Sequence, residues 1–272
     1  MYIIMNQNIL STIYHNNNFI KQTYKTLKNF RENINNNMTG GAFSIDYKDN
    51  HIKFKKLIDD NLLKLYLSTP DENTNCISII IDIKLGLAYI ENVTNNKYTN
   101  CFEQPELNNG KTIMEITIKL LKKYKDKFNI KQIQLKDNSF ITCDDKTSIV
   151  LSDLSFLQHN ETFYSRFGFK PRKDDDYENY MKNKAILSIS KVKKIKLNKI
   201  LIDYNNEIDS KLKQQLLEDY EVHLNYNIIQ WFNHFSRVFM KKDCKLFKFI
   251  IEGIYKKLEL IKLNNIGYTM KL

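Results

Sequence analysis

Two short stretches of this chain hold residue types able to act on a substrate. The first is Gln104-Pro-Glu-Leu-Asn-Asn-Gly-Lys-Thr-Ile-Met114. A glycine among small polar residues at a helix start leaves backbone N–H groups free, and the positive end of the helix dipole favours an anion such as phosphate. Lys111 adds a charge. The same residues also suit an ordinary capped helix, since Asn is a common N-cap. The second stretch is Phe163-Tyr-Ser-Arg-Phe-Gly-Phe-Lys-Pro171. Its phenylalanines suit a core. Tyr164 differs, because its hydroxyl needs a partner when buried and can serve as a general acid. Glu91 is a candidate base near the end of the strand that precedes the first stretch. A solvated carboxylate is the competing reading.

Metal chemistry finds no support in the spacing. Cys76, Cys101, Cys143 and Cys244 lie far apart and no pair has zinc-ligand spacing. The five histidines form no ligand cluster. This cysteine usage suggests a reduced, intracellular setting.

The elements around these stretches follow from periodicity. From Ala42, Phe43, Ile45 and Tyr47 alternate with polar residues, and Ile52, Phe54 and Leu57 do so less cleanly. Leu63, Leu65 and Leu67 form a third such set. Cys76–Ile83 is a β-branched run and Leu87–Val93 follows a tight Leu85-Gly86 connection. These predict an antiparallel meander. Ile113, Ile116, Leu120, Leu121, Tyr124 and Phe128 then share a helical face, with lysines at its C-terminal end, where cations suit the dipole. A strand at Gln132–Leu135 and a polar insertion from Asp137 come next. A strand is expected at Ser148–Leu151, then a helix capped by Asp153 that carries Leu154, Leu157, Tyr164 and Phe167 and ends at Gly168. Phe169 opens a strand. A short helix spans Tyr177–Lys184, a strand Ala185–Ile189, and Lys191–Lys199 reads as an edge strand or linker. From Asn206 the pattern is helical throughout and fits three helices. Ile9–Phe30 reads as an amphipathic helix of an N-terminal arm.

The order of these features resembles the GNAT-type N-acetyltransferase superfamily. That superfamily has a meander, a strand leading to a pyrophosphate loop and helix, a strand, a helix, and a Tyr-x-x-x-Gly-Phe ending. Gly110-Lys-Thr-Ile-Met114 matches part of the loop, and Tyr164 with Gly168-Phe169 matches the ending. The resemblance covers roughly residues 43 to 190. Asn108 stands where the family loop has its first glycine, and Pro105 at its Gln/Arg position. The resemblance implies an α/β (α+β) fold with a mixed, mostly antiparallel sheet flanked by helices. It implies acetyl-CoA as cofactor and an amine as acceptor. Asn108, Asn109, Gly110, Lys111 and Thr112 would hold the pyrophosphate, and main-chain groups of Asn92 and Val93 the pantetheine arm. Tyr164 would protonate the leaving thiolate, and Glu91 would act as base.

Organisation and charge complete the reading. Residues 1–41 form the arm, 42–200 the acetyltransferase-like domain and 201–272 an added helical region. Net charge is +11. Residues 186–272 hold 16 Lys plus Arg against 9 Asp plus Glu, a net of +7, so this part would meet an anionic partner. A scaffold without activity, binding a protein or nucleic acid through these helices, is the alternative function. Spread lysines also fit the Asn/Ile/Lys bias of an AT-rich genome, which is similar in style to proteins of large DNA viruses of eukaryotes, with protists of AT-rich genome as the alternative source. The setting would then be host cytoplasm or virion. No run of eighteen apolar residues occurs, so no membrane span is expected.

Overall fold

A computed structural model describes residues 43–59, 62–69, 75–93, 101–143, 145–204 and 208–272. The expected helix at Ile9–Phe30 lies outside these residues. The architecture is α+β, with mostly antiparallel strands and seven α-helices among the described residues. None of those helices is long and apolar enough to cross a membrane. The chain forms two compact units. One holds the described residues up to Ile133 together with Lys271 and Leu272, and the other holds Gln134–Met270.

The first unit is built on the meander. β1 (Phe43–Tyr47), β2 (Asn50–Asp59), β3 (Leu62–Ser68), β4 (Asn75–Asp82) and β5 (Leu87–Val93) pair in sequence order, each antiparallel to the next. Alternation sets the register: Ile45 faces Ile52 and Leu63 faces Ile81 across the strands, all of them buried. Lys48 and Asp49 take positive φ between β1 and β2, as a two-residue hairpin requires. Gly86 turns the chain between β4 and β5 at φ +68, and a Cβ there would lie 2.6 Å from the Asn129 carbonyl oxygen. Its own carbonyl accepts from the N–H groups of Lys131 and Gln132.

α1 (Gly110–Lys123) packs on β1 and β5 through Ile113, Ile116, Leu120 and Leu121. Full burial of each such side chain contributes about 1.5–3 kcal/mol. The helix stops before Tyr124 and Phe128, whose rings instead close on Phe43 at 4.8 and 5.4 Å. β6 (Gln132–Lys136) begins in this unit and runs into the second.

In the second unit the polar insertion holds a hairpin. β7 (Phe140–Thr142) pairs with β8 (Ser148–Val150). α2 (Leu151–His159) follows at once, with Val150 rather than Asp153 at its N-cap, and ends at left-handed Asn160. Tyr164 and Phe167 therefore lie beyond the helix, around a 3-10 turn at Ser165–Phe167 closed by Gly168 at φ 92. β9 (Lys170–Pro171) is brief.

Three expectations fail after it. Ala185–Ile189 is the tail of α3 (Asp174–Ile189), not a strand. Asp174, Asp175 and Asp176 fill that helix's first turn, where carboxylates suit the dipole. Lys191–Lys199 is not extended either: Val192–Lys194 is a 3-10 turn and α4 (Leu197–Ile202) follows, with Val192, Ile195 and Leu197 buried. After the expected trio α5 (Ser210–Val222), α6 (Ile228–Phe239) and α7 (Cys244–Leu258), the chain returns to β10 (Gly267–Lys271), which pairs antiparallel with β9. Trp231, Phe232, Phe235 and Phe247 stack as the core of the helical trio.

The cysteines also depart from expectation. Cys76–Cys101 joins β4 to the loop before α1, and Cys143–Cys244 joins the β7–β8 turn to the first residue of α7. The fold brings together residues separated by 25 and 101 positions. None of the four is free.

Candidate functional site

The predicted site residues fall in both units. In the first, β5 carries Glu91 at a bulge. Ser78 pairs with Asn92 while the next residue, Ile79, pairs with Ile90, so Glu91 is the extra residue. A bulge bends and twists its strand and re-aims neighbouring groups. A second bulge lies at Cys76 on β4, where Leu67 pairs with Ile77 and Ser68 with Asn75. The Glu91 carboxylate accepts from Ser78 Oγ at 2.7 Å and pairs with Lys64 at 3.3 Å.

The loop before α1 is knitted together by asparagines. Pro105–Leu107 forms a 3-10 turn, which Pro at its first position favours. Asn108 sits at φ −81, not in the left-handed region. Its side chain accepts from the Phe102 N–H at 3.0 Å and donates to the Phe102 and Gln104 carbonyls at 2.7 and 3.2 Å. It thus fastens the loop to itself, one residue from the Cys76–Cys101 bond. Asn109 is the N-cap of α1: its Oδ1 accepts from Thr112 N at 2.9 Å and its amide donates to Thr112 Oγ1 and the Glu106 carbonyl.

These contacts consume most of the donors at the helix start. The N–H groups of Asn108 and Asn109 bond to Pro105 and Leu107, and that of Ile113 bonds to Asn109. Among the described residues, the N–H groups of Gly110 and Lys111 hold no hydrogen bond. The Lys111 ammonium lies 3.7 Å from Glu115. Glu115 also accepts from the Tyr47 hydroxyl. Burial, then that carboxylate, pushes the Tyr47 phenol up to about 12.

In the second unit Tyr164 is buried among Phe163, Phe169 and Tyr268, with ring centroids at 5.3, 6.5 and 5.7 Å. Its carbonyl accepts from the Phe167 and Phe169 N–H groups, which shapes the turn at Gly168.

Sequence reasoning missed a second polar cluster in this unit. Asp137, 1% exposed, accepts from Ser139 through Oδ1, while Oδ2 has no partner. Asp153, 2% exposed, holds Lys262 Nζ at 2.7 Å through Oδ2, while Oδ1 has none. The hydroxyls of Tyr255 and Tyr268 are also buried and make no well-aligned hydrogen bond, although Asp153 lies beside the first and Thr162 beside the second. Burial raises the Asp137 carboxyl to about 6, against the pull of Ser139 and with a further push from Asp153. Burial likewise raises Asp153, partly opposed by Lys262. Asp137 opens a polar run in the sequence, so no local pattern marks it as buried.

Among the described residues, the one cluster of metal-ligand type is Cys143, Asp145 and Cys244, and its two sulfurs are bonded to each other. Comparison with protein-family models, curated proteins and solved structures found no match to this chain.

Proposed function

We propose that the chain is an acetyl-CoA-dependent N-acetyltransferase of the GNAT type acting on an amine acceptor. The observation that carries the proposal is the pairing of features in the first unit. The strand before α1 is bulged at Glu91, and α1 begins with two unbonded N–H groups, at Gly110 and Lys111. Two N–H donors at the positive end of a helix fit a pyrophosphate. Asn108 has no donor left for it, so the fit rests on Gly110, Lys111 and the main chain.

Bound acetyl-CoA supplies an acetyl thioester, which a neutral amine attacks. In the proposal, Gly110 and Lys111 hold the pyrophosphate, with Asn109 and Thr112 fixing the turn that aims them. Main-chain groups of Asn92 and Val93, re-aimed by the bulge, hold the pantetheine arm. In this reading the Glu91 carboxylate would take a proton from the acceptor ammonium, and the resemblance gives the Tyr164 hydroxyl the role of acid towards the thiolate.

Isothermal titration with acetyl-CoA tests the reading. Saturable binding that weakens in Gly110→Pro, which removes one of the two donors, supports it. No binding at millimolar cofactor overturns it. Tyr164→Phe keeps the ring packing and removes the hydroxyl, so loss of turnover with unchanged binding would assign the acid role.

A second reading is a scaffold of the same fold without activity, partnered through its basic helices. Asn108 favours it, because its side chain fills the loop where the family has glycine. Binding of DNA or RNA that falls steeply with salt would mark a nucleic-acid partner. An intracellular setting, in host cytoplasm or a virion, belongs to the proposal. There the two disulfides must resist reducing thiols. Thiol counting on denatured, non-reduced protein tests this, with four blocked cysteines expected.

A further inference from the structure

α7 has two faces. Phe247, Ile251, Ile254 and Leu258 are buried in the core of the second unit. Lys245, Lys248, Phe249 and Glu252 follow the same three-and-four spacing on another face. That face forms one wall of a hollow of about 500 Å³, whose other walls are the β7–β8 turn around Lys146 and the residue Tyr204 after α4. The size lies in the range of small-molecule sites.

The chemistry of the lining is selective. Lys146, Lys245 and Lys248 bring three ammonium groups, and none of them is in an ion pair among the described residues. The nearby carboxylate of Asp145 is engaged in its own turn by the Thr147 N–H and hydroxyl at 2.9 and 3.0 Å. Tyr204 and Phe249 pack at 5.0 Å with their ring planes tilted by 59°, so each offers its own apolar ring face beside the charges. Glu252 supplies the one carboxylate of the lining. The Cys143–Cys244 disulfide ties the turn that carries Lys146 to the helix end that carries Lys245. The two cationic walls are therefore held together before any ligand arrives, which lowers the entropy cost of binding.

We propose that this hollow binds a nucleoside polyphosphate. The three lysines take the phosphates, the Tyr204–Phe249 surface takes the base, and Glu252 accepts from ribose hydroxyls. Phosphate alone would use the lysines but not the rings, and an apolar ligand would use the rings but not the lysines. The site lies wholly in the second unit and stands independently of the acetyl-CoA reading.

Titration of the full chain with ATP, and separately with inorganic tripolyphosphate, tests the assignment. Lys245→Ala with Lys248→Ala should weaken both ligands by about tenfold or more, as loss of two charge-assisted contacts implies. Phe249→Leu, which keeps an apolar side chain, should weaken ATP by about tenfold and leave tripolyphosphate unchanged, since only the base stacks. The loss in the double lysine variant should be as large on a Lys111→Ala background as in the parent, which separates this site from the start of α1. Thermal melts confirm that each variant is folded. Unchanged ATP affinity in the double lysine variant, or no ATP binding at millimolar concentration, would overturn the proposal. Equal weakening of both ligands by Phe249→Leu would overturn the base assignment and with it the nucleoside.

Discussion

The loop before α1 and the buried polar cluster of the second unit handle polar atoms in opposite ways. In the loop, Asn108 and Asn109 satisfy nearly every donor and acceptor within reach, leaving two N–H groups. In the cluster, Asp137, Asp153, Tyr255 and Tyr268 each keep a buried oxygen without a well-aligned hydrogen bond. A satisfied loop is stable and has little left to offer a ligand. An unsatisfied cluster costs stability and responds to protons. The part of the chain that resembles a cofactor loop is thus the more self-contained of the two.

The largest test of this contrast is pH. The folded-state pKa of Asp137 is raised from 3.8 to about 6. The folded state therefore binds this proton more tightly than the unfolded state. No cost is present below about 4. Stability falls as pH rises from about 4 to 6, and the cost of about 3 kcal/mol is fully present above that. Asp153, raised in the same direction by burial, adds to the slope. Urea unfolding from pH 4.5 to 7.5 should show the decline, and Asp137→Asn should flatten most of it. An equal slope in the variant would remove Asp137 from the account.

The next effect is that of Lys262→Met. Asp153 is almost fully buried and Lys262 is its ion-pair partner. Loss of one partner leaves a buried charge uncompensated and destabilises by about 2–3 kcal/mol, below the largest values because Lys262 is itself half exposed. The Asp153 pKa should rise further, and the stability loss should shrink as pH falls. A loss that stays constant with pH would point to the cation–π contact of the Lys262 ammonium, which lies 4.9 Å from the Tyr255 ring centroid.

Asn108→Ala probes the other side of the contrast. It removes three hydrogen bonds and leaves the Phe102 amide and carbonyl unpaired in a partly buried loop. About 2 kcal/mol should be lost, with no pH dependence between 5 and 8. The Cys76–Cys101 bond limits how far the loop opens, so reduction and this substitution should act together by more than their sum.

How much of this was legible in the sequence depended on how local the cause was. β1 to β3 are legible from alternation, β4 from a β-branched run that is buried on both faces, and β5 to its residue bounds. Asn109 and Gly110 were correctly placed at a helix start, since capping is a contact between residues three apart. The tail of α3 misled because Ile186, Leu187 and Ile189 have the density of a strand. An acidic first turn eleven residues earlier, with Ser188 and Ser190 bonding carbonyls one turn back, decided for helix. β10 was lost behind three helices because five residues carry a weak alternation. The disulfides and the burial of Asp137 depend on residues far away in the chain, and no local pattern encodes them. The same holds for the site: Glu91 was placed on its strand, but its bulge appears only when β4 is beside it.

Tyr268→Phe should have the smallest effect and sharpens the comparison most. The hydroxyl of Tyr268 is buried and makes no well-aligned hydrogen bond; burial and then Asp137 raise its pKa, and the nearby Thr162 hydroxyl opposes them. Removing a satisfied buried hydroxyl costs about 1 kcal/mol, whereas removing an unsatisfied one is neutral or stabilising by a similar amount. A variant as stable as the parent or more so, by urea unfolding at pH 7, therefore means that the cluster is short of partners. A loss of about 1 kcal/mol would mean that ordered water links the hydroxyl to Asp137. In that case Asp137→Asn and Tyr268→Phe should couple in a double-mutant cycle, and the cluster would be a hydrated network as well satisfied as the loop.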